Sequence, residues 1–157
     1  MHAGPLLLDT DTLSELSRGN ATVTAQARAY LGAFGRLTIS AITVFERLRG
    51  YRVAIHAGKP LHAQQQAFEG LVQSCLVLPF DDTAADVAAT IWARSTRRAQ
   101  KNLGDLLIAS IAVSRRVPLV TRNRRDFETF IEASGVEIGL VDWSKGARKL
   151  PTTSRRR

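Results

Sequence analysis

The chain has 157 residues, 45% of them hydrophobic, and a mean hydropathy near zero. This suits one folded domain that buries about two-thirds of the surface exposed by its unfolded form. A single cysteine, Cys75, excludes an intrachain disulfide, and three histidines (His2, His56, His62) without paired spacing argue against zinc. No window approaches the roughly 18 apolar residues of a membrane span, and no basic stretch precedes an apolar core, so a cytoplasmic protein without membrane contact is expected. The formal charge of +8 is uneven: residues 1 to 93 carry 7 basic and 8 acidic side chains, residues 94 to 157 carry 15 and 6. A polyanion is the natural partner of such a surface, because neutralising phosphates releases counterions. A solvated basic face that only aids solubility is the plainer alternative.

The first element is the short apolar run Pro5-Leu6-Leu7-Leu8, which stops at Asp9 as a buried parallel strand would. Thr10 or Asp11 can cap a short helix through Ser17, and a second helix is expected from Thr22 to Phe34 before Gly35. The strand Leu37 to Ser40 follows, and Ser40 can cap a helix whose buried face is set by Ala41, Ile42, Phe45 and Leu48. Lys59 to Gln73 has helical period, and Cys75 to Leu78 reads as a third strand in which the thiol is an inert core group.

Thr83 to Gln100 is expected to be one helix, with Val87, Ala88, Ile91 and Trp92 inside and a basic end formed by Arg94, Arg97, Arg98 and Lys101. Packing is favoured over base stacking for Trp92. A helix after Gly104 carries the stripe Leu107, Ile108, Ile111 and Ala112. Pro118 to Thr121 is a fourth strand, Asp126 to Ser134 a last helix ended by Gly135, and Ile138 to Val141 a fifth strand. The alternation predicts an α/β sheet with crossover helices. Residues 1 to 144 form the expected domain, and residues 145 to 157 a basic, frayed tail.

In open α/β sheets ligands bind beyond the carboxyl ends of the strands, where acids distant in sequence can converge. Asp9 ends the first strand. Glu46 lies at i+4 from Ile42, on the edge of an apolar stripe, and Asp105 and Asp126 open helices. Each acid alone has a bland reading as a helix cap or dipole partner. Together, four carboxylates would repel one another and have raised pKa values unless a cation joins them. A hard ion such as Mg2+ prefers such oxygen donors.

Four segments carry a family resemblance: Leu6-Leu7-Leu8-Asp9-Thr10-Asp11, Ile39 to Gly50, Gly104-Asp105-Leu106-Leu107-Ile108-Ala109 and Leu119 to Phe127. In this order and spacing they resemble the motifs of PIN-domain, VapC-like toxins of toxin-antitoxin systems. The resemblance implies a three-layer α/β/α sandwich around a mainly parallel sheet of about five strands. It also implies an Mg2+- or Mn2+-dependent endoribonuclease that hydrolyses RNA through a metal-activated water, leaving a 5'-phosphate and a 3'-hydroxyl. A cognate antitoxin would neutralise it, and a homodimer is expected.

By motif, Asp9, Glu46 and Asp105 are the expected catalytic metal ligands. Many members have an acid where Asn123 stands, so either Asp126 supplies the fourth carboxylate or Asn123 a neutral oxygen; Asp126 is favoured. Thr10 is expected to orient Asp9, and Thr121 to bond a water or carboxylate, unless each only caps a helix. Arg122, Arg124 and Arg125 are candidate RNA-phosphate contacts, with Arg97, Arg98 and Lys101 along the approach. Two rivals remain. The Leu6 to Leu13 segment also resembles the nucleophile strand of haloacid dehalogenase-type phosphatases, but the later motifs do not fit that family. A PIN-like module that binds RNA or protein without cutting would keep the basic half but need not keep four acids.

Overall fold

The computed structural model describes residues 4–146. All but the first two residues of the basic tail expected at 145 to 157 therefore lie outside the described residues. The elements run β1 (Leu7–Leu8), α1 (Thr10–Ser17), α2 (Ala21–Phe34), β2 (Thr38–Ser40), α3 (Ala41–His56), α4 (His62–Ser74), β3 (Leu76–Leu78), α5 (Asp82–Arg94), α6 (Arg97–Gln100), α7 (Leu103–Arg115), β4 (Leu119–Val120), α8 (Arg124–Ser134) and β5 (Leu140–Val141), followed by a 3-10 turn at Trp143–Lys145.

The five strands form one sheet in the order β3-β2-β1-β4-β5. All pairings are parallel, with Leu7 opposite Thr38 on one side and Leu119 on the other. Side chains alternate across a strand, so β1 divides the core: Leu7 packs with Ile91, Ile108, Ile111, Phe127 and Phe130 from α5, α7 and α8. Leu8 packs with Leu13, Val23, Ala27 and Tyr30 from α1 and α2, together with Trp143. Helices thus cover both faces, giving the expected three-layer α/β/α architecture; the strands are short and, apart from Thr38 and Ser40 in β2, apolar, as expected where both faces are covered.

Polar caps fix where the helices start. Asp9, rather than Thr10 or Asp11, is the N-cap of α1, and its Oδ1 accepts from Thr12 N at 2.7 Å. Ser40 caps α3 as expected, accepting from Thr43 N at 3.1 Å. The single helix expected from Thr83 to Gln100 is two. Ser95 is extended and Thr96 caps α6 by accepting from Ala99 N at 3.2 Å; adjacent hydroxyl residues offer the backbone an alternative to helical bonding. Two apolar positions also differ from expectation. Trp92 is 43% exposed and Phe45 57% exposed, because the buried stripes run through Ala84, Ala88 and Ile91 on α5 and through Thr43, with Val44 and Leu48 against the core, on α3.

Candidate active site

Strands β1 and β4 lie side by side at the centre, and the chain leaves them in opposite directions across the sheet, toward β2 and toward β5. This is a topological switch point, where a crevice opens at the carboxyl ends of the strands. Asp9 immediately follows β1, and Thr121 immediately follows β4. Asp9 N donates to Val120 O at 3.1 Å, and Thr12 Oγ1 donates to the same carbonyl at 3.1 Å. Asp9 is 2% exposed. Burial raises its pKa, opposed by hydrogen bonds from Thr121 and Thr12, while the charge of Asp11 adds to the rise.

Glu46 enters from the second turn of α3. Thr10 Oγ1 donates to Glu46 Oε1 at 2.8 Å and lies 3.0 Å from Thr43 Oγ1. Thr10 therefore holds Glu46, where Asp9 was the partner expected from sequence. On the far side of the carboxylate stands Gly104. A Cβ there would lie 2.7 Å from Glu46 Oε2, closer than the contact distance of any carbon and oxygen. Only glycine leaves room for the carboxylate in this position.

Asp105 and Asp126 occupy the first turns of α7 and α8. The N-cap residues of these helices are Asn102 and Asn123, and neither makes a side-chain capping bond, although asparagine is a favoured cap. Both carboxamides turn toward the acids instead. Asn102 Nδ2 donates to Asp105 Oδ2 at 2.7 Å and to Asp126 Oδ2 at 3.4 Å. Asn123 Nδ2 reaches the same two oxygens at 3.3 and 3.0 Å. Thr121, fully buried, accepts from Asn123 N at 2.9 Å and so sets that loop.

The electrostatics join these pieces. The Asp105 carboxyl is pushed up to about 6, first by burial and then by the charges of Asp9, Asp11 and Glu46, against the lowering effect of the Asn102 bond. Elsewhere acids are neutralised by cations: Asp81 pairs with Arg115 at 3.0 Å and Glu128 with Arg124 at 3.3 Å. Among the described residues no lysine or arginine pairs with Asp9, Glu46, Asp105 or Asp126. The cluster is an uncompensated negative site.

Its donors are all oxygen, the chemistry of a hard divalent cation rather than zinc. Among the described residues no three acids, histidines or cysteines are grouped closely enough to hold a metal ion together. An open set still fits Mg2+, which takes one or two carboxylates and keeps several waters.

Two clefts flank the acids and share Asn102. One, of about 330 Å³, includes Glu46, Arg49, Lys101 and Gly104. The other, of about 300 Å³, includes Arg98, Arg125 and Asp126. Of the other candidate arginines, Arg97 is exposed on α6, and Arg122 is exposed beside Glu15 at 4.0 Å. Arg124 is engaged with Leu140 O at 3.1 Å as well as with Glu128. Sequence reasoning missed Asn102, whose only signal was its place before Gly104-Asp105, and Asp11 as a contributor to the field.

A family profile described as the PIN domain matches residues 6–132. The chain belongs to the PIN-domain family. Solved structures agree with the assignment of this PIN domain. It superposes on DNA-bound VapBC from Salmonella typhimurium with a TM-score of 0.67 at 26% identity, covering 88% of this chain and 98% of that one. VapBC-1 from nontypeable Haemophilus influenzae gives 0.66 at 24%, covering 90% and 99%. A toxin-antitoxin complex from Klebsiella pneumoniae gives 0.57 at 23%, covering 78% and 89%. No curated protein matches the sequence. Among the described residues no helix is long and apolar enough to cross a membrane.

Proposed function

We propose that this PIN domain is a divalent-metal-dependent endoribonuclease, the VapC-like toxin of a toxin-antitoxin pair. The observation that carries this reading is the acid cluster at the carboxyl edge of a parallel sheet: Asp105 feels the charges of Asp9, Asp11 and Glu46 and shares two carboxamide donors with Asp126, and among the described residues no cation pairs with Asp9, Glu46, Asp105 or Asp126. Structural acids are normally paired or solvated, and holding these together without a cation costs stability.

Asp9, Glu46, Asp105 and Asp126 would hold the ion, Mg2+ or Mn2+, with Asn123 beside the fourth acid. When bound, the ion would supply Lewis acidity for phosphodiester hydrolysis and relieve the repulsion among the acids. The chain's own part is positioning. Thr10 and the space at Gly104 fix the Glu46 carboxylate. The carboxamides of Asn102 and Asn123 hold Asp105 and Asp126 in register. Arg98 and Arg125 line one cleft and Arg49 and Lys101 the other, where they would meet the RNA backbone on either side of the acids, with Arg97 and Arg122 adding longer-range attraction. The likeness to VapBC assemblies supports neutralisation by an antitoxin protein. The same reading takes the toxin as a homodimer acting in the cytoplasm, with residues 1 to 144 as the nuclease and 145 to 157 as a basic extension.

The test is cleavage of a mixed RNA pool by antitoxin-free protein, with Mg2+ or Mn2+ present or chelated, beside Asp9→Asn. Asparagine can still accept the Thr12 N–H bond, so the variant keeps the α1 cap. Metal-dependent cuts that disappear in the variant support the proposal. Equal cutting by both proteins, or none by folded wild type, contradicts it.

A further inference from the structure

The exposed ring of Phe45 is not accounted for by folding. It sits one residue before Glu46 on α3 and is 57% exposed, in a helix whose core contacts are made by other positions. The Arg49 guanidinium lies 5.3 Å from its ring centroid. Phe45 and Arg49 line the cleft of about 330 Å³ that also holds Glu46, Lys101, Leu103 and Leu107. Leu103, like Phe45, is exposed, at 47%. The cleft thus offers a planar aromatic surface, an aliphatic wall and two cations, beside one carboxylate of the acid cluster.

Resting on the nuclease reading, we propose that this cleft is a nucleobase subsite: the Phe45–Arg49 pair stacks the base of the nucleotide next to the scissile phosphate, in single-stranded RNA. Aromatic rings and arginine planes are the surfaces on which unpaired bases stack, and such stacking tolerates sequence but requires an unpaired base. The charges complement this occupant. Arg49 and Lys101 can meet the phosphate attached to the stacked nucleotide, while Glu46 belongs to the acid cluster that faces the scissile bond. An acidic or purely apolar ligand would leave one half of the cleft unmatched. Across Asn102, Arg98 and Arg125 of the second cleft continue the path for the next phosphates. Bases in a duplex cannot reach Phe45 without unpairing, so the subsite selects single-stranded regions.

Binding is measured without cutting, in chelator, using short single-stranded RNA carrying 2-aminopurine at successive positions, and cleavage of the same RNAs is mapped with Mn2+. Wild type is expected to quench 2-aminopurine strongly at one position adjacent to the cut. Phe45→Ala should abolish that quenching, weaken binding at least about fivefold and blur the choice of cut site. Phe45→Trp should retain all three properties. Val53→Ala, at an exposed position further along α3, should change none, and unaltered melting of every variant establishes that the fold is intact. If wild type cuts RNA and Phe45→Ala matches it in quenching, affinity and cut site, the subsite is refuted while the nuclease reading stands. If Phe45→Ala keeps its RNA properties but escapes inhibition by an antitoxin, the cleft belongs to a protein partner and the inference fails. If wild type neither binds nor cuts RNA, both readings fall.

Discussion

Replacing Asp105 with asparagine removes the most strained charge of the site, and its effect on stability can be worked out from the structure. The carboxyl is pushed from 3.8 up to about 6 in the folded state. A raised folded value means that the group's contribution to stability is complete below about pH 3.8 and is lost as pH rises through about 6. The difference of ~2 units at about 1.4 kcal/mol each sets an upper limit of about 3 kcal/mol for the cost of ionisation in the metal-free protein. Partial solvent access reduces this to about 1–2 kcal/mol. Asparagine is neutral at every pH and can accept the Asn102 bond through its carbonyl, so it escapes the cost. For a domain of this size each kcal/mol moves Tm by about 2–4 °C. In chelator, Asp105→Asn is therefore expected to melt with wild type near pH 4 and about 2–8 °C above it at pH 7.5. With Mg2+ at pH 7.5 the order should narrow or reverse, since a ligand that binds only the folded state stabilises it by mass action. Thermal melts across pH, with and without Mg2+, provide the test. A variant that melts below wild type at pH 7.5 in chelator, or a difference that does not vary with pH, would refute the electrostatic argument.

Gly104→Ala should push the Glu46 carboxylate out of place. Cleavage should fall at least about tenfold, as expected for misplaced catalytic groups, while the melt stays level or rises because alanine favours helix; wild-type cleavage would disprove the packing argument. Thr10→Val, which keeps the shape but loses the bond to Glu46, should lower cleavage by about tenfold, with Thr10→Ser restoring most of it in the same assay. Asn102→Ala removes one of the two donors that Asp105 and Asp126 share, leaving Asn123, and is expected to weaken Mn2+ binding several-fold by calorimetry with a stability loss of about 1 kcal/mol or less.

Much of this site is written locally. A short apolar strand that ends in an acid, Leu6 to Asp9, announces both a buried parallel strand and a carboxylate at its exit, because neither depends on distant residues. Asp105 and Asp126 are legible as first-turn acids for the same reason. The contacts that make them a site are not local. Thr10 and Glu46 are 36 residues apart, and Asn102 meets Asp126 across 24, so the partners emerge only once β1 is paired with β2 and the starts of α7 and α8 meet on either side of β4. Amphipathic period misled at Phe45 and Trp92, since a helix packed on a sheet buries a narrow stripe and leaves its flanks apolar but exposed. The break at Ser95-Thr96 was hidden because the apolar pattern before it and the basic pattern after it each suit a helix.

The most direct test of the central claim is titration of metal-free protein with Mn2+, followed by the loss of the free-ion electron paramagnetic resonance signal. Wild type is expected to bind Mn2+ saturably, with Asp9→Asn and Asp105→Asn each weakening binding by at least about tenfold although Asp105→Asn folds more stably at pH 7.5. Equal binding by wild type and both variants, or no saturable binding by folded wild type, would contradict the assignment of these carboxylates as the metal centre.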